Sequence, residues 1–543
     1  MKEGCLSFKQ WQRLAKFLCL LFVCCFVVIS CGQLQPLQTP KTKGDRITIG
    51  TTLKPRTLDP ADAYELASLG ITYNLSDRLY VYEPNKPVLK PQLATALPKV
   101  SQDGLTYTIP LRKGVFFHDG TPFNAEAMVF SLRRFMENGG KPSFLLSDIV
   151  QSVKVTGEYE LTIQLKKPFA AFPALLAFAG VCPVSPKVYE IGTGKFKPDT
   201  FVGTGPYKLV KFSSDTVRLD VFEQYWGEKP VNKGIDIQIL TSSANLYNSL
   251  RSGAVDVAYL SLDPDQIRSL KEESPKSGIQ VVETQGNVVT LWVLNVKSKP
   301  LDNPKVRQAI AALVDRNLLT KRALQGQAQP LYSLVPPSFD VYKPAYKEIY
   351  GDGNSAKAKT LLQQAGYSPT NPAKIQIWYP SSSPTRALVA QTLKALAEQQ
   401  LGGALQFEVN SVEAATAYKQ IPKGVYPTFL MDWYPDFLDP DNYVQPFLEC
   451  VKGSPAGCER GGSQALGSFY WNEGVNSAIA RQRKEQNPQI RKAIFAEIQE
   501  QAARDVPYVP LYQYKDYAFA AKDISGVNIE PTQFLTFPTL RKS

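Results

Sequence analysis

The residues best suited to chemistry lie together in one stretch. Residues 431–443 read MDWYPDFLDPDNY, setting Asp436, Asp439 and Asp441 just behind Trp433 and Tyr434. Carboxylates this close can work as an acid–base pair or hold a cationic group. Catalysis finds no further support, because the chain has no P-loop, no nucleophile elbow and no paired Cys/His set. His118 is the single histidine, which argues against a histidine-dependent triad and a nitrogen-rich metal shell. The expectation is a protein that is not an enzyme and uses no metal and no cofactor. Asp439 and Asp441 flank Pro440 and read as turn caps. His118 reads as structural.

The N-terminus reads as an export signal. Lys2, Lys9, Arg13 and Lys16 precede an apolar run from Phe17 to Ile29, too short for a comfortable membrane span of about 20 residues. The run ends in Val28-Ile29-Ser30-Cys31, a small residue before cysteine as in the bacterial lipobox. Residues 1–30 are therefore expected to be a lipoprotein signal peptide, with an uncleaved anchor as the competing reading. Cys31 would be the lipidated residue and 31–44 a flexible tether. Cys450 and Cys458 bracket VKGSPAG, a spacing that in an exported protein reads as a local disulfide, against two free thiols. Cys182 stands in an apolar stretch and reads as a buried small hydrophobe.

Composition bounds the remainder. The 543 residues carry a net charge of +12, with 44% hydrophobic and 20% charged residues. That is globular usage, enough chain for two to four lobes at about 100–200 residues each. No basic–aromatic stripe stands out, so nucleic acid is not an expected partner. Leu105–Leu111 and Leu161–Leu165 alternate as strands, with Pro110 suggesting an edge. Asn124, Asn303-Pro304 and Asn487-Pro488 open helices, the last with an apolar stripe of Ile490, Ile494 and Ile498. Leu246 and Leu250 line a helix ending at Gly253; Val389, Leu393 and Leu396 line one ending at Gly402-Gly403. Strands alternating with capped helices indicate α/β lobes.

Five segments, in order along the chain, carry a resemblance. They are Leu58-Asp59-Pro60, SQDGLTYTIPLRKGVFFHDGTPFNAEAMVFSLRR (101–134), GTGPY (203–207), LNVKSKPLDNPKVRQAIAALVDR (294–316) and MDWYPDFLDPDNY. Together they resemble the family 5 extracellular solute-binding proteins of bacterial ABC importers, the oligopeptide-, dipeptide- and nickel-binding group. The resemblance covers the chain after about residue 45.

The resemblance implies a two-lobed periplasmic-binding-protein type II fold with a hinged cleft and an extra subdomain inserted in the first lobe. Laid on this chain, lobe I takes 45–82, 201–287 and 510–543, the insert 83–200 and lobe II 288–509. The hinge is expected at two crossing strands near Leu291 and Val509. The implied function is a lipid-anchored receptor on the periplasmic side of the cell envelope, acting as a monomer. It would capture short peptides and deliver them to the transmembrane subunits of an ABC permease. Chelated nickel or another small solute, such as a glycoside, is the alternative ligand; a sensor or chaperone role without transport is a further one. In the family's peptide binders an aspartate three residues after a tryptophan pairs with the peptide ammonium. Asp436 has that place after Trp433, and Trp433 and Tyr434 would form flat walls. Arg386 is expected to meet a ligand carboxylate, and Tyr64 to reach the cleft from the first lobe. Asn295 matches a recurrent family asparagine, for contact or for structure. The segment Val288–Asn295 is expected to offer a free strand edge for a peptide.

Overall fold

Helices begin and end where side chains can satisfy their free backbone groups. The computed structural model describes residues 46–84 and 86–543; the signal segment 1–30, Cys31 and the tether 31–44 lie outside the described residues. Asn124 Oδ1 accepts from Ala127 N at 3.0 Å and opens helix Ala125–Glu137. Asn303 and Asn487 do the same for Pro304–Leu313 and Pro488–Asp505, each with proline at the first position. Helices Ser243–Ser252 and Pro384–Leu401 end at Gly253 and Gly402, with φ of 73° and 58°, a left-handed turn that a side chain disfavours. One stripe is shorter than expected. Ile494 and Ile498 are buried, but Ile490 is 52% exposed, because the first turn of its helix projects past the core.

The main sheet has eleven strands. At one end, Ile47–Thr51 lies parallel between Ile235–Ile239 and Val257–Tyr259, with Thr216–Val221 and Tyr207–Phe212 beyond. The other end holds Thr428–Trp433, Ala373–Pro380 and Leu405–Val412. Two long antiparallel strands, Gln280–Leu294 and Tyr508–Ala520, pair with both ends and join them. The result is two lobes sharing one strand pair.

That pair is interrupted. Pairing runs to Gln285–Lys515 and resumes at Val289–Gln513, leaving residues 286–288 opposite Tyr514 alone. Gly286 is required there by close approach: a Cβ would sit 2.8 Å from both the Asp516 carboxylate and the Tyr514 carbonyl. Leu291 and Val509 lie on these two strands beside a second irregularity: Thr290 is opposite Tyr512 but Leu291 is opposite Pro510, which leaves Leu511 unmatched, and Trp292 is opposite Val509. The free edge expected at Val288–Asn295 does not exist. Val289–Val293 pairs on one side with Phe429–Trp433 and on the other with Tyr508–Gln513, as so apolar a strand requires.

Residues between the first-lobe segments build a separate four-stranded antiparallel sheet, from Lys99–Val100, Thr106–Pro110, Val150–Gly157 and Glu160–Leu165. Pro110 sits on an inner strand rather than an edge. Its neighbour Lys99–Val100 is two residues long and pairs only with Tyr107 and Thr108, so no ladder bond is lost at Pro110. Arg134, from the helix beside this sheet, meets Asp59 of the first lobe in a fully buried two-pronged pair at 2.7 and 2.6 Å. One apolar cluster runs from Tyr107 of this sheet, and Phe172 of the short helix packed edge-on against it, to Phe437, Tyr443 and Phe447 of the second lobe.

Candidate ligand-binding cleft

The site is built by the end of one strand. Strand Thr428–Trp433 is buried over its first four residues and delivers Trp433 to a cavity of about 630 Å³. After Trp433 the chain loops to a turn at Pro440–Tyr443, capped by Asp439, whose Oδ1 accepts from Asp441 N at 2.8 Å. Asn442 Oδ1 then ties the loop together, accepting from Trp433 Nε1 at 3.1 Å and from Asp436 N at 3.2 Å. The indole of Trp433 packs edge-on against Phe447 at 5.0 Å. Tyr64, Phe144, Phe169, Trp433, Asp436 and Asn442 are among the residues lining the cavity.

The three aspartates of the loop have different surroundings. Arg491 holds Asp439 at 2.8 and 2.7 Å, and Arg483 with Gln482 holds Asp441. Asp436 has no such partner. Its Oδ1 accepts from Tyr64 Oη at 2.6 Å, a neutral donor reaching across from the first lobe. Burial pushes the Asp436 carboxyl above its usual range, and the bonds from Tyr64 and Asn442 pull it only partly back. Burial, and then the neighbouring Asp436, push the Tyr64 phenol up. Phe144 and Phe178 pack edge-on around the Tyr64 ring at 5.8 and 6.3 Å. The site thus presents a partly desolvated carboxylate, a phenol and an indole to one cavity.

The other expected residues fall elsewhere. Arg386, in the first turn of helix Pro384–Leu401, is joined to Asp432, and Thr290 Oγ1 donates to that carboxylate at 2.6 Å. Burial lowers the affinity of the Arg386 guanidinium for its proton, but Asp432 more than reverses this. Its charge is therefore already matched. Tyr434 is exposed and does not line the Asp436 cavity. Asn295 is buried and shapes a turn, its Oδ1 accepting from Lys297 N at 3.0 Å. His118 is structural: Nε2 lies 3.0 Å from the Gly205 carbonyl, Nδ1 accepts from Gly203 N, and burial holds its pKa at about 4. Cys450 and Cys458 form a disulfide with Cα atoms 5.7 Å apart, and Cys182 is buried and free. Residue types alone did not reveal Asn442 or Asp432. Both lie in the quoted loop or strand, but their roles need the register that sets Thr290 beside Asp432.

A mixed sheet split between two lobes that share a strand pair, with a separate small sheet and a cavity between them, is the two-lobed type II architecture of periplasmic binding proteins. Among solved structures, HbpA2 from Haemophilus parasuis superposes with a TM-score of 0.78 at 22% identity, covering 92% of this chain and 100% of that one. The family model for bacterial extracellular solute-binding proteins, family 5, matches residues 88–455. The chain belongs to this family of ABC-transporter solute-binding proteins. The glutathione-binding protein GsiB of Salmonella choleraesuis is 29% identical over 494 residues, 89% of this chain and 91% of the relative. The di/tripeptide-binding protein 2 of Pseudomonas aeruginosa is 26% identical over 538 residues, 92% and 95% respectively. No helix among the described residues is long and apolar enough to cross a membrane.

Proposed function

We propose that this protein captures short peptides in the cleft and hands them to the transmembrane subunits of an ABC permease. Asp436 takes the peptide ammonium, Tyr64 closes over it from the first lobe, and Trp433 forms a wall. The observation that carries the reading is the half-buried Asp436 carboxylate, hydrogen-bonded to a neutral phenol and to no cation. A charge-assisted bond to an ammonium would supply the missing partner. The names of the glutathione-binding and di/tripeptide-binding relatives favour the same ligand class.

Lobe I at 45–82, 201–287 and 510–543, the insert at 83–200 and lobe II at 288–509 accord with the sheet halves and the separate small sheet. The hinge belongs to the irregular part of the two shared strands, which lose their pairing at 286–288 and slip again between Thr290 and Leu291, opposite the stretch that holds Val509. Lipid on Cys31 would hold a monomer to a membrane on the periplasmic side of the bacterial cell envelope, and 31–44 would give it reach.

Melting curves with a peptide pair test the ligand role. A tripeptide with a free amino terminus raises Tm, and saturation at 100 times Kd adds about 2.7 kcal/mol. The same peptide acetylated at its amino terminus leaves Tm unmoved. Equal shifts for the two would remove Asp436 from the ligand site.

A further inference from the structure

The strand Tyr508–Ala520 is aromatic and apolar apart from Gln513, Lys515 and Asp516. Lys515 is paired with Glu283 at 2.6 Å. Asp516 is 4% exposed and accepts one bond, from the Gln533 amide at 2.7 Å. Burial raises its pKa to about 6, with the Gln533 bond as the opposing influence and no basic group acting on it. An ionised carboxylate left so is costly unless something cationic joins it.

Its surroundings come from both lobes. Tyr259, at the end of first-lobe strand Val257–Tyr259, lies within its electrostatic reach, as does Tyr434, two residues from Asp436. The Tyr259 hydroxyl is buried and has no hydrogen-bond partner. Residues at every second position share a face of a strand, so Tyr512 and Tyr514 stand beside Asp516, and both feel the Arg386–Asp432 pair. This is therefore the sheet face that also carries Asp432, since Thr290 stands between Tyr512 and Asp432 in the register. Backbone strain gathers here too. Leu260 and Ser261, directly after Tyr259, and Gln533 itself have φ of 53°, 69° and 71°, values that non-glycine residues adopt at a cost and that cluster at ligand clamps.

We infer that Asp516 is a second cation-recognising carboxylate of the cleft, so that the preferred peptides carry a basic side chain as well as a free amino terminus. The inference rests on the peptide reading above. Phenol faces at Tyr259 and Tyr434 suit an ammonium or guanidinium lying between them. Arg386, matched by Asp432, adds no net charge to oppose it.

Calorimetry with tripeptide pairs tests this. Each pair carries lysine or norleucine, of similar length but uncharged, at the second and then the third position. The wild-type protein is expected to bind one lysine peptide at least about tenfold more tightly than its norleucine twin, and Asp516→Asn is expected to bring that ratio to about one. Asp516→Ser, checked for folding by circular dichroism, serves as the second variant. A ratio near one in the wild type at both positions overturns the inference while leaving peptide binding intact. A ratio retained in both variants overturns it as well. If no tripeptide binds the wild type, the peptide reading fails first and this inference with it.

Discussion

Asp439 and Asp441 on one side, and Asp436 and Asp516 on the other, put the same side chain to opposite uses. Burial pushes Asp441 upward just as it does Asp436 and Asp516. What differs is the company. Arg491 and Arg483 close on the first two, and the buried Asp59–Arg134 pair follows the same plan. Neutral donors, Tyr64 and Gln533, meet the second two. A matched carboxylate fixes one element against another. An unmatched one opposes folding and leaves room for a cation, which is a use that only a binding site has for it.

The largest effect expected is on the matched side. Arg134→Ala strands Asp59, whose side chain is fully buried, and is expected to destabilise the protein by about 3–5 kcal/mol in urea unfolding. A loss below about 1 kcal/mol would mean that water reaches Asp59 and that the pair is not the clamp between first lobe and insert.

Next in size is Asp436→Asn. It keeps the shape and the bond to Tyr64 but removes the charge, and is expected to weaken a free-amino-terminus peptide by about 2–3 kcal/mol, read as Kd by calorimetry. Stability without ligand is expected to hold or rise, the reverse of Arg134→Ala. A fall in stability with unchanged Kd would place Asp436 among the structural aspartates.

Much of this was legible in residue types and spacing. Helix starts at Asn124, Asn303 and Asn487 follow from local capping, which needs no tertiary information. The architecture came from the motif order, and the separation of Asp436 from Asp439 and Asp441 from the proline between the latter two. Long-range pairing was not legible. Nothing local says that Asp432 will neutralise Arg386 across 46 residues, or that strand 280–294 lies between two neighbours. Asp516 did leave a trace, as an acid in an aromatic strand, but a lone acid on a strand ordinarily faces water. Ile490 fails for the opposite reason: periodicity marks a face without saying how far along it the core extends.

The smallest effect, and the one that separates the two unmatched carboxylates from each other, is the pH dependence at Asp516. Its folded pKa of about 6 lies above the ordinary 3.8, so between these values the folded form holds a proton that the unfolded chain gives up. The contribution therefore runs opposite to that of a salt-bridged aspartate: stability is lost as pH rises through 6 and regained as it falls toward 4. Asp516→Asn, which cannot ionise, is expected to be more stable than wild type by about 1–2 kcal/mol at pH 7.5. The full linkage is larger, but a buried amide still costs part of it. The advantage is expected to vanish by pH 4, where wild-type Asp516 is itself neutral. Tyr259, Tyr434, Tyr443 and Tyr517, the titratable groups that feel Asp516, stay protonated throughout this window, so the wild-type-minus-variant curve isolates one carboxylate. Saturating lysine peptide should erase the neutral-pH advantage, because the ligand then supplies the charge that the fold withholds. A variant no more stable than wild type at pH 7.5 would mean that Asp516 is already neutralised by the protein, and the contrast with Asp439 and Asp441 would reduce to Asp436 alone.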